Sequence, residues 1–434
     1  MKLSRMVGLL AGVVGSRFIG AGLGFLSQVV LARILPVADV GVVLLAMSAA
    51  AFASLLCIGG YAMLAMTQLP KLATHGRDSL LRAFHRVVLT DAVYVCVVLA
   101  VLTYAASYFF NLSHGQNLAL LFGMLCAPAS ALMRYNSSIA SSERWFKLAY
   151  VPDLLLRPAL FLLLLLIAWG SGFDLHMTSV IVMFVAGTFA ITIGQAVVLG
   201  HRGLGLGDFG RTRAMLVRPL RSRAVALTIV SMVALAFADI VTLVAGLVLP
   251  EADVAVVGIT MRLAAIAGFV LQAGQMFVLP DFTQALVRRD NKLANVLLLR
   301  INLTTLLVVG AGLVAAIVLG RFALSIFGAD YVRGAGLLVL FMVGQSIRAL
   351  GGMNQHILSI NGHQLRTAGA CVVALAILVC MAVLLCKSWG IIGLGYAVVA
   401  AEVAWLLALA AQAQKLCGRR GDLLWLARHH VPKS

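Results

Sequence analysis

The sequence predicts an all-α integral membrane protein, with twelve transmembrane helices in two parallel-repeat six-helix lobes around a central cavity. Three observations carry that expectation. The 434 residues are 62% hydrophobic and only 11% charged, whereas soluble domains are about half apolar and about a quarter charged. The apolar residues gather in stretches of about twenty, the length that crosses hydrocarbon as a helix. One phrase also occurs twice, LPVADVGVV at 35–43 and LPEADVAVV at 249–257, at an offset of 214.

The first six spans fall near 6–32, 38–64, 87–110, 118–142, 150–170 and 177–200, and the second six near 224–249, 254–280, 297–320, 337–360, 368–386 and 391–413. The opening MKLSRMVGLLAGVVGSRFIG resembles a signal peptide, but Arg17 interrupts the apolar run and the stretch continues to Ala32, so it reads as a membrane helix. Alternating ten-residue segments, the mark of a spanning barrel, do not occur. Both copies of the phrase occupy the outer turn between the first and second span of a set. Proline stops one helix there, and Ala-Asp suits the start of the next. The match continues from Met47, Ala50, Ala51 and Ala53 to Met261, Ala264, Ala265 and Ala267. An even number of spans separates the copies, so the halves share orientation, a parallel repeat. The expected division is a first lobe over 1–200, a basic inter-lobe loop over 201–223, a second lobe over 224–413 and a basic tail over 414–434. The tail stretch DLLWLARHH, 422–430, is expected to lie amphipathically on the inner membrane surface.

A net charge of +18 would suggest nucleic acid as a partner, but the basic residues sit in short segments between apolar spans. That pattern marks a membrane face. Twenty-four of the 33 lysines and arginines fall on one side and four on the other, which places both termini in the cytoplasm. The seven cysteines form no CxxC pair and read as small core hydrophobes. No large extramembrane segment could hold an enzyme site, and no GxxxxGK[ST] occurs, so neither catalysis nor a bound cofactor is expected.

The remaining five basic residues, Arg17, Arg134, Arg157, Arg262 and Arg348, lie within spans. Such a group must face a cavity, pair with an acid or reach the interface. Arg157 and Arg134 lie toward the cytoplasmic ends of their spans and could snorkel or line a substrate path. Arg17, Arg262 and Arg348 sit deeper and read as cavity residues, the alternative being a buried ion pair with Asp239 or Glu402. The offset of 214 equates Arg134 with Arg348, whereas Arg17 falls on Ser231 and Arg262 on Ser48. Arg134 and Arg348 therefore read as shared scaffold, and the asymmetric pair as better candidates for substrate work. Five arginines against about two deep acids leave a cationic interior suited to phosphate or pyrophosphate.

Several stretches resemble bacterial polysaccharide exporters: ARILPVADVGVV at 32–43, FADIVTLVAGLVLPEADVAVVGITMRLAAIAG at 237–268, LPDFTQALVRRDNK at 279–292, IFGADYVRGAGLLVLF at 326–341 and WGIIGLGYAVVAAEVAW at 389–405. Their order resembles the polysaccharide-transporter (Wzx-type) family of the multidrug, oligosaccharidyl-lipid and polysaccharide (MOP) exporter superfamily. The resemblance implies an inner-membrane flippase that moves polyprenyl-pyrophosphate-linked oligosaccharides by alternating access, for O-antigen, capsule or exopolysaccharide assembly. It implies partnership with a polymerase and other assembly proteins. Lipid II flippases resemble the chain in placing arginines on the first and eighth helices, as Arg17 and Arg262 stand here. They carry two additional helices for which this chain has no room. On this reading Arg17, Arg262 and Arg348 hold the pyrophosphate, and Arg134 and Arg157 stand near the cytoplasmic entry. Asp239 and Glu402 balance charge or carry a coupling proton or sodium ion. The alternatives are a multidrug-type cation antiporter of the same superfamily, which would place acids deep in the first lobe, and a membrane glycosyltransferase or polymerase, which would need a larger loop.

Overall fold

A computed structural model of the chain describes residues 3–74, 78–109, 112–201, 214–288, 290–423 and 425–426. Among them no strand occurs, because backbone polar groups in hydrocarbon must be satisfied within the helix itself. In chain order the helices are α1 (Leu3–Ile34), α2 (Val37–Thr74), α3 (Asp78–Phe109), α4 (His114–Ser142), α5 (Phe146–Val151), α6 (Arg157–Gly170), α7 (Met177–His201), α8 (Ala214–Leu235), α9 (Phe237–Val248), α10 (Glu251–Val287), α11 (Asn291–Ser325), α12 (Ala335–Leu350), α13 (Asn354–Ile360) and α14 (Gln364–Cys417). A π-helical turn, Pro152–Leu156, joins α5 to α6, and a 3₁₀ turn, Ala329–Gly334, precedes α12. Nine helices among the described residues are long and apolar enough to cross a membrane, ten if the bent pair α8 and α9 makes one span.

The chain packs as two compact units, residues 1–243 and 244–434. The repeated phrase builds the same corner in each. Leu35 donates its N–H to the Leu31 carbonyl at 3.1 Å and Val40 to the Pro36 carbonyl at 3.1 Å. The same bonds recur 214 residues on: Leu249 donates to the Ala245 carbonyl at 2.8 Å and Val254 to the Pro250 carbonyl at 3.0 Å. In both copies proline ends one helix, and its carbonyl accepts the first bond of the next. The valines that follow are buried in each unit, Val40, Val42 and Val43 in the first and Val254, Val256 and Val257 in the second.

The twelve expected segments fall on helices, with four departures from simple spans. The 150–170 segment carries the π turn. The 224–249 segment bends at Ala236, between α8 and α9. The 337–360 segment breaks after Leu350, where Gly352 takes φ +57 and lies so near the Gly421 carbonyl that a Cβ would stand 2.2 Å from its oxygen. Conversely, α14 holds two expected segments, because Gly390 adopts φ 53 and ψ −133. A Cβ on Gly393 would lie 2.5 Å from the Leu385 carbonyl oxygen, an approach impossible along a straight helix, where eight residues rise about 12 Å. The two arms, 364–389 and 391–417, fold back on one another at that glycine.

The tail departs from the expected surface helix. Gly418 closes α14 in the left-handed conformation, φ 64, and the chain then turns into the second unit. Gly421 donates to Asn354 Oδ1 at 2.7 Å and accepts from Asn302 Nδ2 at 2.8 Å. Asp422, 1% exposed, accepts from Arg420 Nε at 2.7 Å and from Asn354 Nδ2 at 3.1 Å. Leu426 is fully buried with Phe282, Leu298 and Ile357. An acid and a leucine spaced for an interfacial face are core residues here; residues 427–434 lie outside those described.

Candidate functional site: the intramembrane charges

The first unit assembles its charges around the π turn. Pro158 has no N–H to give the Leu154 carbonyl, so the α-helical bond between them is absent. Arg157 instead donates back five residues, to the Pro152 carbonyl. The Leu154 carbonyl faces α1, where a Cβ on Gly20 would lie 1.9 Å from its oxygen; only glycine permits that crossing. Ser27, two turns along α1, reaches the Pro158 carbonyl at 3.4 Å. Arg17 lies on α1 three residues before Gly20, and its side chain lies outside those described.

The π turn carries Asp153 one turn before Arg157, and their charged groups stand 2.8 Å apart, each side chain 25% exposed. The contact is electrostatic, since Asp153 Oδ1 receives no hydrogen bond. Arg157 is thus held by an acid of its own turn. Arg134, on α4, donates from Nε to Ser54 Oγ of α2 at 3.1 Å, and that hydroxyl donates to the Ala51 carbonyl at 2.8 Å. The positive field of Arg134 also reaches Asp153. Two guanidiniums therefore bear on one carboxylate.

In the second unit Glu402, 2% exposed, rises from α14 to meet Arg348 of α12. Arg348 Nε donates to Oε2 at 3.2 Å, and Nη2 pairs with Oε1. The fork is bidentate, the strongest geometry for this pair. Of the two readings open for Arg348, the structure contains the ion pair, and of the two candidate acids it uses Glu402. Arg262 is half-buried on α10, and Asp239 is half-buried in the first turn of α9, where a negative charge suits the helix dipole.

Two clusters escaped the sequence reading. Asp91 of α3 accepts Arg221 Nε of α8 at 2.8 Å and the Tyr61 hydroxyl of α2 at 2.5 Å, beside a crossing where a Cβ on Gly60 would meet the Ala224 carbonyl at 1.9 Å. Only charge complementarity between spans could have hinted at it. Cys57 and Cys96 bring their sulfurs to 3.2 Å as thiols. In NLSHGQ, Ser113 and Gln116 form the capping box that starts α4, the structural use of a stretch that also reads N-x-S.

No protein-family model matches the sequence, and no curated protein matches it. Solved structures do. The chain is similar to a multidrug resistance MATE family transporter of the MOP superfamily in its inward-facing conformation, with a TM-score of 0.73, 13% identity, and coverage of 96% of this chain and 99% of that one. It is similar to the lipid II flippase MurJ in an inward closed conformation, with a TM-score of 0.70, 13% identity, and coverage of 93% and 87%. A MOP superfamily transporter from Pyrococcus furiosus, described by the reverse polarity of its binding pocket, matches with a TM-score of 0.56, 12% identity, and coverage of 93% and 95%. The chain has the fold of MOP superfamily transporters and is a multi-pass membrane protein.

Proposed function

We propose that the chain is a flippase for polyprenyl-pyrophosphate-linked oligosaccharides, working by alternating access in a bacterial inner membrane with both termini cytoplasmic. The observation that carries this reading is the excess of guanidinium over carboxylate around the π turn, where Arg134 and Arg157 bear on one carboxylate among the described residues, Asp153. A cationic centre inside a membrane is costly unless an anion visits it, and forked N–H donors suit phosphate oxygens. Arg17 and Arg262 join these two as candidate pyrophosphate contacts. Arg348 contributes less, because Glu402 already holds it. Asp239 is the remaining candidate for proton or sodium coupling, together with Glu402 if its pair opens during transport.

The proposed organisation is twelve crossings, with lobes over 1–200 and 224–413, the inter-lobe loop over 201–223 and the tail over 414–434. The matching hydrogen bonds at the two Leu-Pro corners support the repeat on which it rests. Feeding a polymerase with the flipped units, for O-antigen, capsule or exopolysaccharide, follows from the resemblance of the sequence. A cation antiporter is the weaker reading, since Glu402, a deep acid it would need free, is occupied by Arg348. In the test, Arg17→Ala and Arg262→Ala abolish polymer export at normal protein levels; export retained by both variants refutes their assignment.

A further inference from the structure

One position of the repeat is a continuous helix in the first unit and a broken one in the second. The offset of 214 carries α4 onto α12 and the turn that follows it. The packing keeps that register to within a turn. Gly123 of α4 crosses α2 at Ala46 and Ala50, and Gly334, just ahead of α12, crosses α10 at Val256 and Thr260, the counterpart of Ala46. Helix α4 runs unbroken from His114 to Ser142, through Ser137, Ser138 and Ile139. Their counterparts Gly351, Gly352 and Met353 separate α12 from α13.

A break leaves backbone groups that need new partners, and the tail supplies them. In a continuous helix Met353 would donate its N–H to the Ala349 carbonyl; here it donates to the Gly421 carbonyl at 3.2 Å. Asn354 Nδ2 holds the Gly351 carbonyl at 3.0 Å and Asp422 Oδ2 at 3.1 Å, while its Oδ1 accepts the Gly421 N–H at 2.7 Å. Asn354 and Asp422 are each 1% exposed. Both sides of the contact require glycine. A Cβ on Gly352 would stand 2.2 Å from the Gly421 oxygen, and one on Gly421 would stand 3.0 Å from the Met353 carbonyl carbon. Gly352, at φ +57, is free to take the helical conformation as well. Helix α12 alone, 16 residues, rises about 24 Å, short of the roughly 30 Å hydrocarbon core. Continued to Ile360, it would rise about 39 Å.

We propose that the tail stretch 418–426 is a latch on the 337–360 segment. Docked, it holds the break by taking over the Met353 N–H. Withdrawn, it lets α12 and α13 close into one helix, the form that α4 already has. The latch reaches the buried charge pair. Arg348 lies in the last turn of α12, where a helix C-terminus favours a cation, and joining the helices removes that terminus beside the Arg348–Glu402 fork. The tail thereby controls the shape of a charged span, whatever the cargo.

The test is hydrogen–deuterium exchange on the purified full chain in lipid nanodiscs, comparing segments 418–426 and 351–356. Both exchange slowly in wild type. In Asp422→Ala, uptake at 418–426 speeds up at least about tenfold, the loss of buried hydrogen bonds, while 351–356 stays as slow as in wild type because the helix has closed. Gly352→Ala, whose Cβ evicts the Gly421 carbonyl, gives the same pattern, and it decides alone should Asp422→Ala not fold. Adding Gly352→Ala to Asp422→Ala raises the melting temperature, since alanine suits a helix interior better than glycine. Fast exchange at both segments overturns the proposal, because the break would then fray and not rejoin. Unchanged exchange at both overturns it too, as does a lower melting temperature in the double variant than in Asp422→Ala.

Discussion

Replacing Glu402 with alanine should destabilise the protein severely, and replacing both members of its pair should not. Glu402 is 2% exposed and Arg348 18% exposed, and the two meet through both carboxylate oxygens. Removing one partner leaves a guanidinium in the helix interior, which costs about 3–5 kcal/mol. At about 1.4 kcal/mol per factor of ten, that shifts the folding equilibrium roughly a hundred- to several-thousand-fold. Replacing both ends with apolar residues of similar size removes the charge and its desolvation together, and is neutral to within about 1–2 kcal/mol in comparable buried pairs. The assay is unfolding in mixed micelles by sodium dodecyl sulfate titration, followed by tryptophan fluorescence, on wild type, Glu402→Ala and Arg348→Met/Glu402→Leu. A single variant that loses less than about 1 kcal/mol would behave like a surface pair and refute the closed geometry. So would a double variant as unstable as the single.

Gly20→Leu should separate α1 from the π turn, since its first added carbon would lie 1.9 Å from the Leu154 carbonyl oxygen, at a cost of about 1–3 kcal/mol. Gly22→Leu, with nothing within 4 Å of its Cβ, should melt as wild type does. Asp422→Ala should strip Arg420, Asn354 Nδ2 and the Trp425 N–H of their acceptor, losing about 2–4 kcal/mol and exposing the tail to added protease. The Asp91–Arg221 pair is looser, with Arg221 53% exposed, so Asp91→Asn should cost no more than about 1 kcal/mol in the same melting assay.

The membrane class was legible because periodicity and length suffice for it, and the repeat because two Leu-Pro corners impose the same hydrogen bonds. Breaks were not. Gly352 looks like any glycine of an apolar run, and only the approach of Gly421 from 69 positions away explains its backbone. The π turn is similar: Pro152 and Pro158 announce a disturbance, but the Gly20 contact that fits it comes from another helix. For the charges, sequence gave their depth and left their partners open. Arg134 and Arg348 looked alike by alignment, but one meets Ser54 and the other Glu402, partners on helices that become neighbours only in the fold. The tail misled because an acid beside leucines suits a membrane surface and a buried cap equally well.

The most direct measurement is leaflet-resolved labelling of the lipid-linked sugar in a strain deleted for this protein. The strain is complemented with wild type or with Arg134→Ala/Arg157→Ala. The account predicts that the sugar accumulates on the cytoplasmic leaflet in the deletion strain, moves to the outer leaflet with wild type, and stays inside with the double variant at normal protein levels. An unchanged leaflet distribution in the deletion strain would contradict it.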